Sequence, residues 1–182
     1  FPKDVQALRR TGEQAGLPMR VLTAVEEAND RQKRVLVDKV VHRFGEDLSG
    51  VQLAIWGLAF KPDTDDMREA PSATIIAELT QRGAKVRAYD PVAMNEAARV
   101  LRGIQGIEFV ATPADALRES DALLIVTEWK EFKSPDFESI RSTLRNPVVF
   151  DGRNLYSPDL MATMGIEYYG IGRGISEYST AN

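Results

Sequence analysis

Six short apolar runs separated by helix-like segments fill the chain from residue 49 onward, and few architectures accept that alternation. The runs lie at 51–56, 85–89, 107–110, 122–126, 148–150 and 167–169, each the length of a buried strand. The segments between them carry helix punctuation. Pro71 and Gly83 bracket the first, proline just inside its start and glycine just past its end. Asp90-Pro91 reads as an N-cap and a first-turn proline for the second. Thr112-Pro113-Ala114-Asp115 has the spacing of a capping box, with Asp in place of Glu. Strand and helix in alternation predict an α/β fold, a doubly wound and mostly parallel sheet with helices on both faces. The tail, 170–182, is rich in glycine and serine and reads as loosely held.

A different pattern precedes residue 49. Residues 1–16 read as a short helix ending near Gly16, and Pro18 opens a stretch to Phe44 with no internal Gly or Pro. Its apolar positions, Leu22, Val25, Ala28, Leu36, Val40 and Phe44, are mostly spaced by three or four along one face. A polar belt from Glu26 to Arg34 lies among them. Such a helix is roughly 40 Å long at 1.5 Å per residue. That length exceeds ordinary helices and points to a connector or a pairing element. The predicted division is therefore a helical region, 1–48, and an α/β region, 49–182.

Composition excludes several functions. The net charge of −4 gives no global basic field for nucleic acid. No apolar run approaches the roughly 20 residues that span a bilayer, and the N-terminus is polar rather than signal-like. The expected setting is cytoplasmic. With no cysteine, disulfides, thiolate zinc and thiol catalysis from within the chain are excluded. One histidine, His42, excludes a multi-histidine metal site, so no metal is expected. His42 itself reads as a flank residue of the long helix.

Ligands of an open α/β sheet collect outside the carboxyl ends of its strands. Three segments fall there: residues 57–72 after the first run, Thr127-Glu128-Trp129-Lys130-Glu131-Phe132 after the fourth, and Asp151-Gly152-Arg153-Asn154 after the fifth. The first is not a dinucleotide fingerprint, which needs three spaced glycines where only Gly57 stands. Its Lys61 and Arg68 suit an anion, and the helix opening at Pro71 would add free N–H groups; a solvated charged loop is the competing account. Lys61 and Arg153 would converge to neutralise a diphosphate, the arginine through its planar fork. Trp129 and Phe132 read as core residues at a loop–helix junction. Asp90 stands where dinucleotide folds keep a ribose-binding acid, but with Pro91 following, capping is the better account.

The segments Phe1-Pro2-Lys3-Asp4, Glu27-Ala28-Asn29-Asp30-Arg31-Gln32, 57–72, Tyr89-Asp90-Pro91, Thr127-Glu128-Trp129 and Asp151-Gly152-Arg153 resemble, in order and spacing, those of the nucleotide-sugar 6-dehydrogenases, the UDP-glucose/GDP-mannose dehydrogenase family. The likeness covers essentially the whole chain and is strongest in the sixteen-residue loop 57–72. It implies a second Rossmann-like domain that grips the nucleotide of UDP-glucose, preceded by a central helix that forms a homodimer. The NAD-binding domain would lie upstream, and a nucleophilic cysteine immediately before Phe1. The family oxidises the sugar C6 alcohol to a carboxylate with two NAD⁺, through a cysteine-bound thioester that water cleaves. Carried onto this sequence, Phe60, Lys61 and Arg153 would bind substrate. Phe1, Pro2, Lys3 and Arg68 would meet NAD, and Asp4 would orient or activate the hydrolytic water. A UDP-N-acetylmannosamine or GDP-mannose substrate, or a non-catalytic nucleotide-binding module, are the alternatives.

Overall fold

The computed structural model describes residues 2–173, with side chains from residue 4 onward. The chain divides into two compact units, Phe1–Val35 and Leu36–Asn182. The first holds α1 (Pro2–Gln14) and the beginning of α2 (Arg20–Phe44). Gly16, with φ of 72°, ends α1 as the sequence predicts, and Leu17 N–H closes back onto the Gly12 carbonyl at 2.9 Å. Arg9 of α1 pairs with Glu26 of α2 at 2.5 Å. Among the described residues this unit keeps large apolar side chains in solvent: Leu8, Leu17, Val21 at 76% exposure and Val25 at 46%.

The apolar positions of α2 do not share one fate. Leu36, Val37 and Val40 are buried in the core of the second unit, and the Phe44 ring lies 6.3 Å from that of Phe150. Val25 and Ala28 are exposed. The single stripe expected from spacing thus divides: Leu36, Val37 and Val40 belong to the second unit's core, while Val25 and Ala28 are exposed.

The second unit contains one six-stranded sheet: β1 (Gln52–Trp56), β2 (Lys85–Tyr89), β3 (Ile107–Phe109), β4 (Ala122–Ile125), β5 (Val148–Asp151) and β6 (Glu167–Gly170). Its order is β3-β2-β1-β4-β5-β6, and every pairing is parallel. The predicted doubly wound α/β architecture is therefore present, wholly rather than mostly parallel. Helices flank the sheet, so its central strands are covered and almost entirely apolar; β4 and β5 are buried at every residue. The flanking helices are α3 (Pro71–Gln81), α4 (Met94–Val100), α5 (Pro113–Leu117), α6 (Phe137–Thr143) and α7 (Pro158–Thr163). Thr112 caps α5 by accepting the Asp115 N–H at 3.0 Å, as expected. No helix among the described residues is long and apolar enough to cross a membrane.

The start of α4 differs from expectation. It begins at Met94 after an N-cap position at Ala93 with no side-chain cap. Asp90 and Pro91 lie outside it: one Asp90 oxygen turns the chain ahead of the helix by accepting the Val92 and Ala93 N–H groups, and the other reaches to other loops.

Candidate functional site

Strand order reverses between β1 and β4, which makes their carboxyl ends the switch point where open α/β sheets bind ligands. The loop after β1 leaves the sheet through Gly57. There φ is +90°, and a Cβ would lie 2.6 Å from Thr127 Cβ and 2.7 Å from the Thr127 nitrogen. Both the left-handed backbone and the close approach demand glycine. Thr127, just past β4, donates its hydroxyl to the Ala59 carbonyl at 2.6 Å. Ser72 of α3 donates to the Leu58 carbonyl at 2.5 Å, and Phe60 N–H closes the loop onto the Asp66 carbonyl at 2.8 Å. The loop is a built structure rather than a solvated excursion. Asp63 and Glu69 both sit at positive φ within it, 61° and 59°, conformations that only a firmly held loop imposes on such residues.

Asp90 is the centre of that hold. It is 1% exposed. One carboxylate oxygen accepts the N–H groups of Val92 and Ala93 at 2.9 and 2.8 Å. The other accepts those of Leu58 and Ala59 at 2.7 and 3.1 Å, and the Trp129 indole N–H at 3.0 Å. Five donors from three loops compensate a charge that burial alone would not tolerate. Asp90 thus turns its own loop, as the capping account supposed, without capping a helix. Trp129 and Phe132 are buried, as predicted.

A second buried carboxylate shapes the loop after β5. Asp151 is fully buried and accepts Arg153 N–H at 2.9 Å, Leu155 N–H at 2.7 Å, Tyr156 N–H at 3.2 Å and the Tyr168 hydroxyl at 2.9 Å. Asn154, at φ of 54°, accepts Ile171 N–H at 2.8 Å and donates to the Ile171 carbonyl at 3.0 Å, locking the loop to the chain beyond β6. Gly152 has no room for a side chain: a Cβ would lie 2.9 Å from the Ile125 carbonyl oxygen and 3.5 Å from a Leu36 methyl. Burial and Asp151 push the Tyr156 and Tyr168 phenols above their ordinary range.

These frames present the predicted residues as follows. Phe60 is half-buried and packs on the core, while Lys61 is exposed beside it. Arg68 is exposed and holds Asp66 through two hydrogen bonds of 2.9 Å, which raises its pKa further. Arg153 stands on the β5 loop with its guanidinium 2.5 Å from Glu128. Asp4 is exposed in the first turn of α1. Pro2 and Lys3 are helical with side chains outside the described residues, and Phe1 lies outside them altogether. Phe60, Lys61 and Arg68 share one loop. Arg153 leaves the sheet two strands away, roughly 10 Å at the usual strand spacing, with the β4 loop between.

Sequence reasoning did not single out Asp90 and Asp151 as the organisers of these loops. Their signal was an Asp at the end of a strand followed by Pro or Gly. Nothing local states which N–H groups such an acid collects.

The fold defines a class, a doubly wound domain whose switch-point loops carry Lys61, Arg68 and Arg153 rather than a glycine-rich turn. A family model for the UDP binding domain of the UDP-glucose/GDP-mannose dehydrogenase family matches residues 54–158. The chain belongs to that family. It is 47% identical over 176 residues to the UDP-glucose 6-dehydrogenase of Pseudomonas aeruginosa, covering 95% of this chain and 39% of that protein. It is 40% identical over 173 residues to the one of Rhizobium meliloti, again covering 95% of this chain and 39% of that protein. Among solved structures, a UDP-glucose dehydrogenase from the hyperthermophilic archaeon Pyrobaculum islandicum matches with a TM-score of 0.79 and 34% identity, covering 96% of this chain and 37% of that one. The chain spans about two-fifths of the length of the curated relatives it matches.

Proposed function

We propose that this chain supplies the nucleotide-gripping and dimerising part of a cytoplasmic NAD-dependent 6-dehydrogenase that oxidises UDP-glucose to UDP-glucuronate. The observation that carries the reading is the pair of braced loops at the carboxyl ends of β1 and β5, which offer Lys61 and Arg153 from either side of β4. Two long cationic side chains on loops that leave strands roughly 10 Å apart suit the two phosphates of UDP, with Phe60 on the same loop as Lys61. Arg153 binds phosphate through its fork and Lys61 as a point charge near phosphate or sugar. The relatives favour glucose as the sugar.

NAD does not fit the turn after β1. The N–H groups that would cradle a pyrophosphate are spent, Gly57 on the Tyr89 carbonyl at 2.8 Å and Leu58 and Ala59 on Asp90. The dinucleotide is therefore assigned to another domain of the whole protein, with Phe1, Pro2, Lys3 and Arg68 as the residues of this chain proposed to contact it. Asp4, at the exposed start of α1, orients the hydrolytic water by accepting a hydrogen bond or a proton. By function the chain is read as a pairing region, 1–48, and a nucleotide-holding domain, 49–182, although the last turns of α2, from Leu36 on, pack into the core of the second unit.

Calorimetric titration of the chain with UDP and with NAD tests this. UDP should bind, more weakly as salt rises because the contacts are partly ionic, and NAD should not. Tight NAD binding without UDP binding would overturn the assignment.

A further inference from the structure

Arg153 is not alone in solvent. Its Nε lies 2.5 Å from an oxygen of Glu128, on the loop after the neighbouring strand β4. That oxygen is buried and makes no hydrogen bond among the described residues, so the guanidinium is what compensates it. The Arg153 and Glu128 side chains are 32% and 37% exposed.

Both partners stand on braced backbone. Glu128 lies between Thr127, bonded to the Ala59 carbonyl, and Trp129, bonded to Asp90. Arg153 lies between Asp151, which accepts its N–H, and Asn154, bonded twice to Ile171. The pair is therefore built in rather than a chance meeting of long side chains.

A guanidinium has two useful faces: the edge carrying Nε and the end carrying both Nη groups. The Glu128 oxygen lies nearest Nε, as an ion pair. Among the described residues no other ion pair or hydrogen bond engages the Nη groups, the end assigned to a phosphate.

We propose that Glu128 is a positioning residue for nucleotide binding: it orients Arg153 so that its Nη fork meets the phosphate without first losing rotamer freedom. The inference rests on the reading above that Arg153 binds phosphate. It differs from the opposite role, in which Glu128 would merely compete with the ligand for the arginine.

The test is a double-mutant cycle on UDP affinity, measured by calorimetry on the full chain. Glu128→Ala should weaken UDP binding about tenfold, the scale of immobilising one long side chain. Glu128→Gln, which keeps an oxygen beside Nε but loses the charge of the ion pair, should recover only part of that loss, and Glu128→Asp, which keeps the charge, should also recover part. In an Arg153→Ala background, Glu128→Ala should change nothing further, a coupling that a purely structural role would not produce. The thermal midpoint of Glu128→Ala should stay near the original, which separates positioning from folding. Unchanged or tighter UDP binding by Glu128→Ala, or losses that add, would overturn the inference and leave the nucleotide reading standing. Unchanged UDP binding by Arg153→Ala would overturn both.

Discussion

At residue 57 the backbone does what no L-side chain accepts readily. Gly57 has φ of +90°, and its α-carbon faces Thr127 so closely that a methyl would fall 2.6 Å from the Thr127 Cβ. Gly57→Ala should cost about 2–4 kcal/mol, combining left-handed strain with a forced shift of the β1 and β4 loops. Urea denaturation of the original and altered chains measures it, and UDP affinity should fall with it because Thr127 anchors Ala59 just ahead of Phe60. A change in stability below about 0.5 kcal/mol, the usual scatter of surface substitutions, would show that the loops separate easily. The same logic explains why the two buried acids matter more than the exposed lysine. If Lys61 binds as proposed, it can do so only where its loop is held. Asp90 fixes the amides of Leu58 and Ala59 immediately before it.

At the scale of the element, spacing places Val25 and Leu36 on one apolar stripe of α2. Leu36 is 3% exposed and belongs to the core, within van der Waals reach of the position a Gly152 side chain would take. Replacing it would damage the sheet unit itself. The exposed pair is Val21 and Val25. Val21→Asp with Val25→Asp should leave the thermal midpoint of the α/β unit within a few degrees and, if the helix pairs two copies, shift light-scattering mass toward the monomer. Leu36→Asp should instead cost about 3–5 kcal/mol by burying an unpaired charge. If the double substitution at Val21 and Val25 leaves a dimer intact, that dimer is built elsewhere.

At the scale of the whole molecule, three described phenols are shifted upward and respond to pH on the alkaline side. Burial, with the Glu131 carboxylate alongside, pushes Tyr89 from 10.0 up to about 12, and burial with Asp151 raises Tyr156 and Tyr168 as well. A phenol harder to ionise when folded keeps its proton longer in the native state than in the unfolded chain. The stability it contributes is complete below about pH 10 and is lost as pH rises through 12 and beyond. Denaturation midpoints taken at intervals from pH 9 to 12 should therefore hold at first and then fall. Midpoints that stay level or rise above pH 10 would contradict the assignment.

The six strands were legible because each alternation of a short apolar run with a punctuated helix is a local property. The second strand, Lys85–Tyr89, matches its predicted bounds, and the others differ by a residue or so at an end. The caps at Gly16 and Thr112 were legible for the same reason, since a turn glycine and a capping hydroxyl act within a few residues. The positions of Lys61 and Arg153 at strand ends followed once the alternation was read. What the tertiary structure alone decided is where long-range partners go. Asp90 collects donors as far away as Trp129, Glu128 meets Arg153 across two loops, and α2 buries Leu36 while leaving Val25 in water. Periodicity assigns a residue to a face, but the strand order determines what that face meets.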